Sequence, residues 1–413
     1  MRAAPGESHP IGSSSLEADV ILVGAGPIGL FLAHLLGRFG MKILLFEKRQ
    51  GEATASMAIG VMPPSLRLFE HLALAAPLVQ AGCGVRSAWV HDDHSTLGSL
   101  DFSTLPGPFP FILSTPQGDL MRLLRARLAQ YPSIRFMEGC EAIGLRQDAA
   151  AVTVQVRQVQ DGTIKDWTAG YGVACDGHDS PVRRMLGVPT SRKQYPVSFV
   201  MGDFPDTTPW QSEAHLFFSP RGSIESFPLP QGQRRWVALT EHPKPDVNVL
   251  VAQVRAITGC QLEPSAELGH SAFTPERRLA QTFFKGRVVL CGDAAHVMSP
   301  IGGQGMNTGF ADAWHLATLL RHLDRTREAP APLFAAYERD RRHAFRIAAN
   351  RAARGMWLGT RTGRIPSALR AFLIRHALSF RPFSRYLARY FSMLSIPNGH
   401  GKPSYPINLD ATP

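Results

Sequence analysis

Asp19-Val20-Ile21-Leu22-Val23 runs directly into Gly24-Ala25-Gly26-Pro27-Ile28-Gly29, and this stretch decides the fold. The first five residues are an apolar, β-branched run of strand length, and the glycines that follow permit a tight turn. Leu30, Leu32, Ala33, Leu35, Leu36 and Phe39 then recur at helical spacing until Gly40 stops the helix. Met41-Lys42-Ile43-Leu44-Leu45-Phe46 restarts a buried strand that ends at Glu47, 18 residues beyond Gly29. A strand, a G-x-G-x-x-G turn, a helix and a second strand ending in an acid make a β-α-β unit built for a dinucleotide. Bare backbone can approach a pyrophosphate, helix-terminal N–H groups can bind it, and the acid can accept ribose hydroxyls. An acid at Glu47 favours an unphosphorylated ribose, hence FAD or NAD over NADP.

Residues 66–80 and 119–130 read as helices, and Ala151-Val152-Thr153-Val154-Gln155-Val156 alternates as a strand with one exposed side. From about 187 to 274, Pro and Gly punctuate short runs such as His215-Leu216-Phe217-Phe218, which predicts an inserted antiparallel sheet. Arg287-Val288-Val289-Leu290-Cys291 reads as a further buried strand, with helical spacing returning over 309–322. From about 331 to 395 the spacing is helical, with breaks expected between Gly355 and Pro366 and at Pro382. The resulting expectation is an α/β protein. Residues 18–85, 112–186 and 275–330 form a discontinuous Rossmann-like nucleotide domain, 86–111 and 187–274 a substrate domain of antiparallel sheet, and 331–396 a C-terminal helical tail. A leader, 1–17, precedes them.

The chain has 413 residues, 44% of them hydrophobic, enough for a sizeable core. Its net charge of +11 is local: residues 339 to 389 contain 13 Arg and a single acid, Asp340. The rest of the chain is nearly neutral, which argues against a nucleic-acid partner and leaves a solvated basic face or peripheral contact with an anionic membrane. The five cysteines form no C-x-x-C pair, so no metal site is expected and a reducing, cytoplasmic compartment fits best, with membrane association open. No apolar h-region opens the chain, and no 18-residue apolar run occurs, so neither secretion nor a membrane span is expected.

Two further motifs carry chemistry. Val173-Ala174-Cys175-Asp176-Gly177-His178-Asp179-Ser180-Pro181-Val182-Arg183 delivers Asp-Gly from a strand to a turn. In the second, Gly292-Asp293 leads through His296 and Pro300 to Gly302-Gly303-Gln304-Gly305-Met306-Asn307, a strand-end acid followed by glycines that can face a flat ligand before a helix starts. Over residues 18 to 325 the three motifs, in this order, resemble the flavoprotein aromatic hydroxylases, the FAD-dependent monooxygenases built like p-hydroxybenzoate hydroxylase.

That resemblance implies that Gly24, Gly26, Pro27, Ile28, Gly29, Glu47 and Lys48 hold the ADP half of FAD. It implies that Asp176, Gly177, Ser180 and Arg183 serve the pyrophosphate and the passage of NAD(P)H. By the same resemblance Asp293 binds the ribityl chain, Pro300, Gly303, Gly305, Met306 and Asn307 lie along the isoalloxazine, and Gln117 touches the flavin. The implied reaction uses NADPH or NADH to reduce FAD and O2 to oxygenate at flavin C4a, hydroxylating or epoxidising an aromatic, quinone-like or polyketide-type molecule of secondary metabolism. His215, Phe217, Arg221 and Phe227 are the candidate substrate residues, and no catalytic base is assigned; His296 reads as structural. A flavin reductase resembling geranylgeranyl reductases on a related fold is an alternative, and a vestigial flavin-binding protein is another, kept open because many relatives carry an Arg where this chain has Met57. Substrate identity, NADH against NADPH, and oligomeric state are not fixed by the sequence.

Overall fold

The computed structural model describes residues 16–51, 58–241 and 245–396. Ala18–Val23 lies at the centre of a parallel sheet, flanked by Ile43–Glu47 and then Ile134–Glu138 on one side, and by Ile164–Ala174 and then Val288–Leu290 on the other. Val20, Ile21 and Leu22 are fully buried, as an unbroken apolar run must be when helices cover both faces of a parallel sheet. The helix Pro27–Arg38 starts with Pro, whose missing N–H costs nothing there. The chain leaves it through Gly40 at φ +77°, a conformation glycine adopts without strain. Phe31 of this helix meets Phe69 and Phe310 at ring-centroid distances of 4.7 and 5.2 Å, locking it against the long helix Gln304–Thr326.

The helix expected over 66–80 is two helices, Pro63–Glu70 and Ala75–Ala81, because the chain turns at Ala73 with φ +55°. Val152–Gln158 is an interior strand of the main sheet, paired on both edges. Its valines are buried and so is Thr153, so the expected exposed side is largely covered.

The second sheet has seven strands in the order Gly269–Phe273, Ser198–Pro205, Gln233–Thr240, Gly222–Leu229, Ala214–Ser219, Ser87–His91 and Thr96–Asp101. Segments 86–111 and 187–274 therefore meet in one layer, although Thr190–Gln194 pairs elsewhere, with Glu276–Ala280. Alternation divides the side chains of this sheet. Val200, Phe204, Phe217, Ile224 and Trp236 pack behind it, against Leu250 and Val254 of the helix Val247–Thr258. Phe199, Met201, Val237 and Phe227 face forward. The basic tail forms the helices Pro330–Gly359, Arg364–Ser379 and Arg381–Phe391. The first runs through Gly355, and the breaks fall at Gly363, with φ +95°, and at Phe380. Among the described residues no helix is long and apolar enough to cross a membrane.

Candidate functional site

Three turns at the ends of adjacent parallel strands converge on one cavity of about 1220 Å³, which extends beneath the second sheet. At the first turn the glycines have distinct jobs. Gly24 sits at φ +99°, and a Cβ there would lie 2.5 Å from the Cys175 carbonyl oxygen; one on Gly29 would lie 1.9 Å from the carbonyl oxygen of Gly24. These two let strand and helix close on each other. A Cβ on Gly26 meets no atom within 4 Å, and Gly26, Pro27 and Ile28 form cavity wall, so this position is open to a ligand. Glu47 is buried; one carboxylate oxygen accepts from the Ala25 N–H at 2.8 Å and the other from the Arg49 N–H at 3.1 Å. Exposed Lys48 and Arg49 stand on the same rim.

At the second turn one Asp176 oxygen accepts from the Val182 N–H at 3.0 Å, while the other is buried without a hydrogen-bond partner. Burial pushes its carboxyl upward from the usual range. Ser180 caps the following short helix by accepting from the Arg183 N–H. The Arg183 guanidinium donates to the carbonyls of Ala294 and His178 at 2.8 and 2.9 Å, so it clamps the second turn to the third and lies outside the cavity wall.

At the third turn Asp293 is exposed to the cavity, and desolvation between its walls pushes the carboxyl pKa up. Pro300, Gly303, Gly305 and Met306 continue the wall, with Gly302 and Gly303 in left-handed conformations at the start of the helix Gln304–Thr326. That helix presents its positive end to the cavity. Buried Gln304 Oε1 on this wall has no hydrogen-bond partner. Asn307 is set back and holds the strand Gly60–Val61 by side-chain hydrogen bonds. Gln117 heads the helix Gln117–Leu128 on the cavity wall, its N–H donating to the Ala58 carbonyl. His296 lies behind the site, 2.7 Å from buried Asp312, which also accepts from Arg341 at 2.6 Å. Burial works to raise the Asp312 carboxyl, yet the His296 and Arg341 charges hold it down at about 2.

The four substrate candidates separate. Phe227 is on the cavity wall, and Arg221 is exposed at the hairpin tip between Ala214–Ser219 and Gly222–Leu229. His215 and Phe217 point away, because Ala214, Leu216 and Phe218 are the residues of that strand on the cavity side. His215 stacks on Trp210 at 4.1 Å and shares a hydrogen bond with His91 at 2.9 Å. Burial, reinforced by His91, lowers its pKa to about 4. A residue not singled out from the sequence, Glu225, stands on the cavity face of Gly222–Leu229. The signal was available in the alternation Ile224-Glu225-Ser226-Phe227, since assigning Phe227 to the cavity puts Glu225 there too. Met57 lies outside the described residues.

Residues 17–352 match the family described as FAD binding domain. The chain is 32% identical over 340 residues to 3-(3-hydroxy-phenyl)propionate/3-hydroxycinnamic acid hydroxylase 2 of Burkholderia vietnamiensis, covering 79% of this chain and 60% of that protein. It is 30% identical to rifampicin monooxygenase of Streptomyces venezuelae, covering 92% and 79% respectively. The crystal structure of p-nitrophenol 4-monooxygenase from Pseudomonas putida superposes with a TM-score of 0.85 at 21% identity, over 92% of this chain and 98% of that one, a likeness of fold. The chain spans about three fifths of the length of the curated hydroxylases it matches.

Proposed function

The chain belongs to the FAD-binding domain family, and from that premise we propose that it is an FAD- and NAD(P)H-dependent monooxygenase that hydroxylates or epoxidises a lipophilic aromatic or polyketide-type small molecule. One observation carries this reading: a single cavity joins the glycine-rich turn at Gly26 to an apolar roof formed by the second sheet and the C-terminal helices. A nucleotide-binding end and a substrate-sized apolar end share one space. The residues fit FAD, since Gly26 leaves room for a pyrophosphate, and the unpartnered Asp176 and Gln304 oxygens and the helix start at Gly303–Gln304 offer polar groups along the wall. When bound, FAD supplies hydride acceptance from NAD(P)H and the activation of dioxygen.

The chain's own contribution is binding, orientation and exclusion of water. Gly24 and Gly29 hold the first turn tight, Glu47 and Lys48 would hold the ribose and adenosine, and Asp293 would offer a carboxylate to polyol hydroxyls. Leu216, Phe218 and Phe227 from the sheet and Leu358, Leu378 and Phe391 from the tail line the far end, keeping water from the reacting centre. The relatives found are named hydroxylases and monooxygenases, which favours oxygen insertion over a reductase or a vestigial flavoprotein. The test is anaerobic mixing of the FAD-loaded protein with NADPH and with NADH. Bleaching of the flavin by either, with turnover stimulated by an aromatic substrate once oxygen is admitted, supports the reading; substrate turnover without oxygen contradicts it.

Peripheral membrane contact belongs to the same proposal. Ile365, Leu369, Phe372 and Phe380 are exposed on the tail helices among Arg364, Arg375 and Arg381, an amphipathic basic surface complementary to anionic lipid. Flotation with phosphatidylglycerol vesicles is the expected outcome, and full-length protein left in the soluble fraction would overturn it.

A further inference from the structure

We infer that Glu225 is the group that binds the substrate's hydroxyl and accepts its proton, and that the substrate is an uncharged, lipophilic hydroxyarene. The inference rests on the monooxygenase reading above. Glu225 sits mid-strand in the fourth of seven strands, the centre of the roof. Its cross-strand neighbours are Leu216 and Val237, its neighbours along the cavity face are Ser223 and Phe227, and the tail helices place Leu378 and Phe391 on the same wall. Among the described residues its carboxylate makes no ion pair and no side-chain hydrogen bond, although it is partly buried on a mostly apolar stretch of cavity wall.

Four arginines on the cavity wall are held by other groups. Arg235 is held by Asp203 at 2.6 and 2.7 Å, Arg192 and Arg278 by Glu276, and Arg351 by the carbonyls of Tyr390 and Ser395. Asp293 belongs to the turn at the nucleotide end. Burial alone pushes the Glu225 carboxyl up to about 7. An acid desolvated without a partner is costly to keep, and a ligand that donates a hydrogen bond to it removes the cost.

These facts set the substrate's chemistry. A carboxylate-bearing ligand would bring a second negative charge beside Glu225, whereas a neutral arene bearing a hydroxyl fills the apolar space and donates to the acid. In the proton-transfer step the arene O–H bond breaks, the proton passes to a Glu225 carboxylate oxygen, and the electron pair stays on the arene oxygen. Electron density then rises at the ring carbons ortho and para to it, the positions an electrophilic oxygen donor attacks. A base with a pKa near the working pH is suited to this.

The test is calorimetric titration of the FAD-loaded protein with 2-naphthol and with its methyl ether, 2-methoxynaphthalene. Wild type is expected to hold the naphthol about tenfold tighter or more, the size of one hydrogen bond to a charged acceptor. Glu225→Leu should erase that preference, and Glu225→Gln should keep part of it while losing its pH dependence near 7 and lowering kcat about a hundredfold with KM little changed. Neither variant should melt below wild type, because each removes a partly buried acid that makes no ion pair. Equal binding of naphthol and ether by wild type, or an unaltered preference in Glu225→Leu, overturns the assignment of Glu225 and leaves the monooxygenase reading standing. Binding of neither compound overturns the aromatic-substrate reading and this inference with it.

Discussion

Asn307 Nδ2 donates to the Gly60 carbonyl at 2.9 Å, and Asn307 Oδ1 accepts from the Met62 N–H at 2.8 Å. A single amide thereby pins a strand on one side of the cavity to the first turn of the helix on the other, with Nδ2 also donating to the Gly303 carbonyl at 2.7 Å. Because Asn307 stands behind the wall, it shapes the site without touching what the site holds.

Asn307→Ala leaves the buried Met62 N–H without its acceptor. The expected cost is about 1–3 kcal/mol of stability together with weaker FAD affinity, read from urea unfolding and from flavin fluorescence titration. Unchanged FAD affinity in a measurably destabilised protein would show that the pinned strand does not define the pocket.

Gly24 and Gly26 should respond differently to the same methyl group. Gly26→Ala has room in the fold and backbone angles any residue adopts, so the apoprotein should melt as wild type does while FAD binding weakens tenfold or more, on the order of 1.4 kcal/mol. Gly24→Ala meets the Cys175 carbonyl at 2.5 Å in a left-handed conformation, so it should lose stability before any ligand is added. Melting curves with and without FAD separate the two.

His215 is expected to act on acid stability and to leave catalysis alone. In the unfolded chain it takes a proton below about 6.5, whereas in the fold burial lowers its pKa to about 4. The native state therefore binds fewer protons between these values, and stability falls as the pH drops through that window. At pH 5 the loss attributable to His215 is about 2 kcal/mol. His215→Phe should show a correspondingly smaller fall in urea midpoint between pH 7 and pH 5, with KM for an aromatic substrate unaltered; a large KM change would place the side chain in the cavity after all.

Asp312 is shared by His296 and Arg341 with no solvent around it. Asp312→Ala strands a buried guanidinium, and a loss of about 3–5 kcal/mol is expected by urea unfolding, with the joint between helices Gln304–Thr326 and Pro330–Gly359 loosened. A loss below about 1 kcal/mol would mean that water reaches Arg341 there.

The nucleotide end was legible because its constraints are local. Gly24, Gly26, Gly29, Glu47, Asp176 and Asp293 are all set by strand-turn-helix junctions that a short stretch of sequence spells out. The roles of Arg183 and Asn307 were not, since their partners Ala294 and Gly60 lie 111 and 247 residues away. At the roof the period of two was readable but its parity was not. His215 and Phe217 lie on the face packed on Trp210 and Leu250, whereas Phe227 and Glu225 lie on the cavity face. Parity is decided by which face the helix Val247–Thr258 covers, a tertiary fact. The split at Ala73 was hidden too, because the apolar spacing of residues 66–80 continues across the turn.

Oxygen insertion is expected in the cavity shared by the glycine-rich turn and the roof. Its most direct test is turnover of a hydroxyarene with NADPH under ¹⁸O₂ in ordinary water, followed by mass spectrometry of the product. The expected product carries one heavy oxygen atom per turnover. A product without heavy oxygen, or NADPH consumption that yields only hydrogen peroxide across a panel of neutral hydroxyarenes, would contradict it.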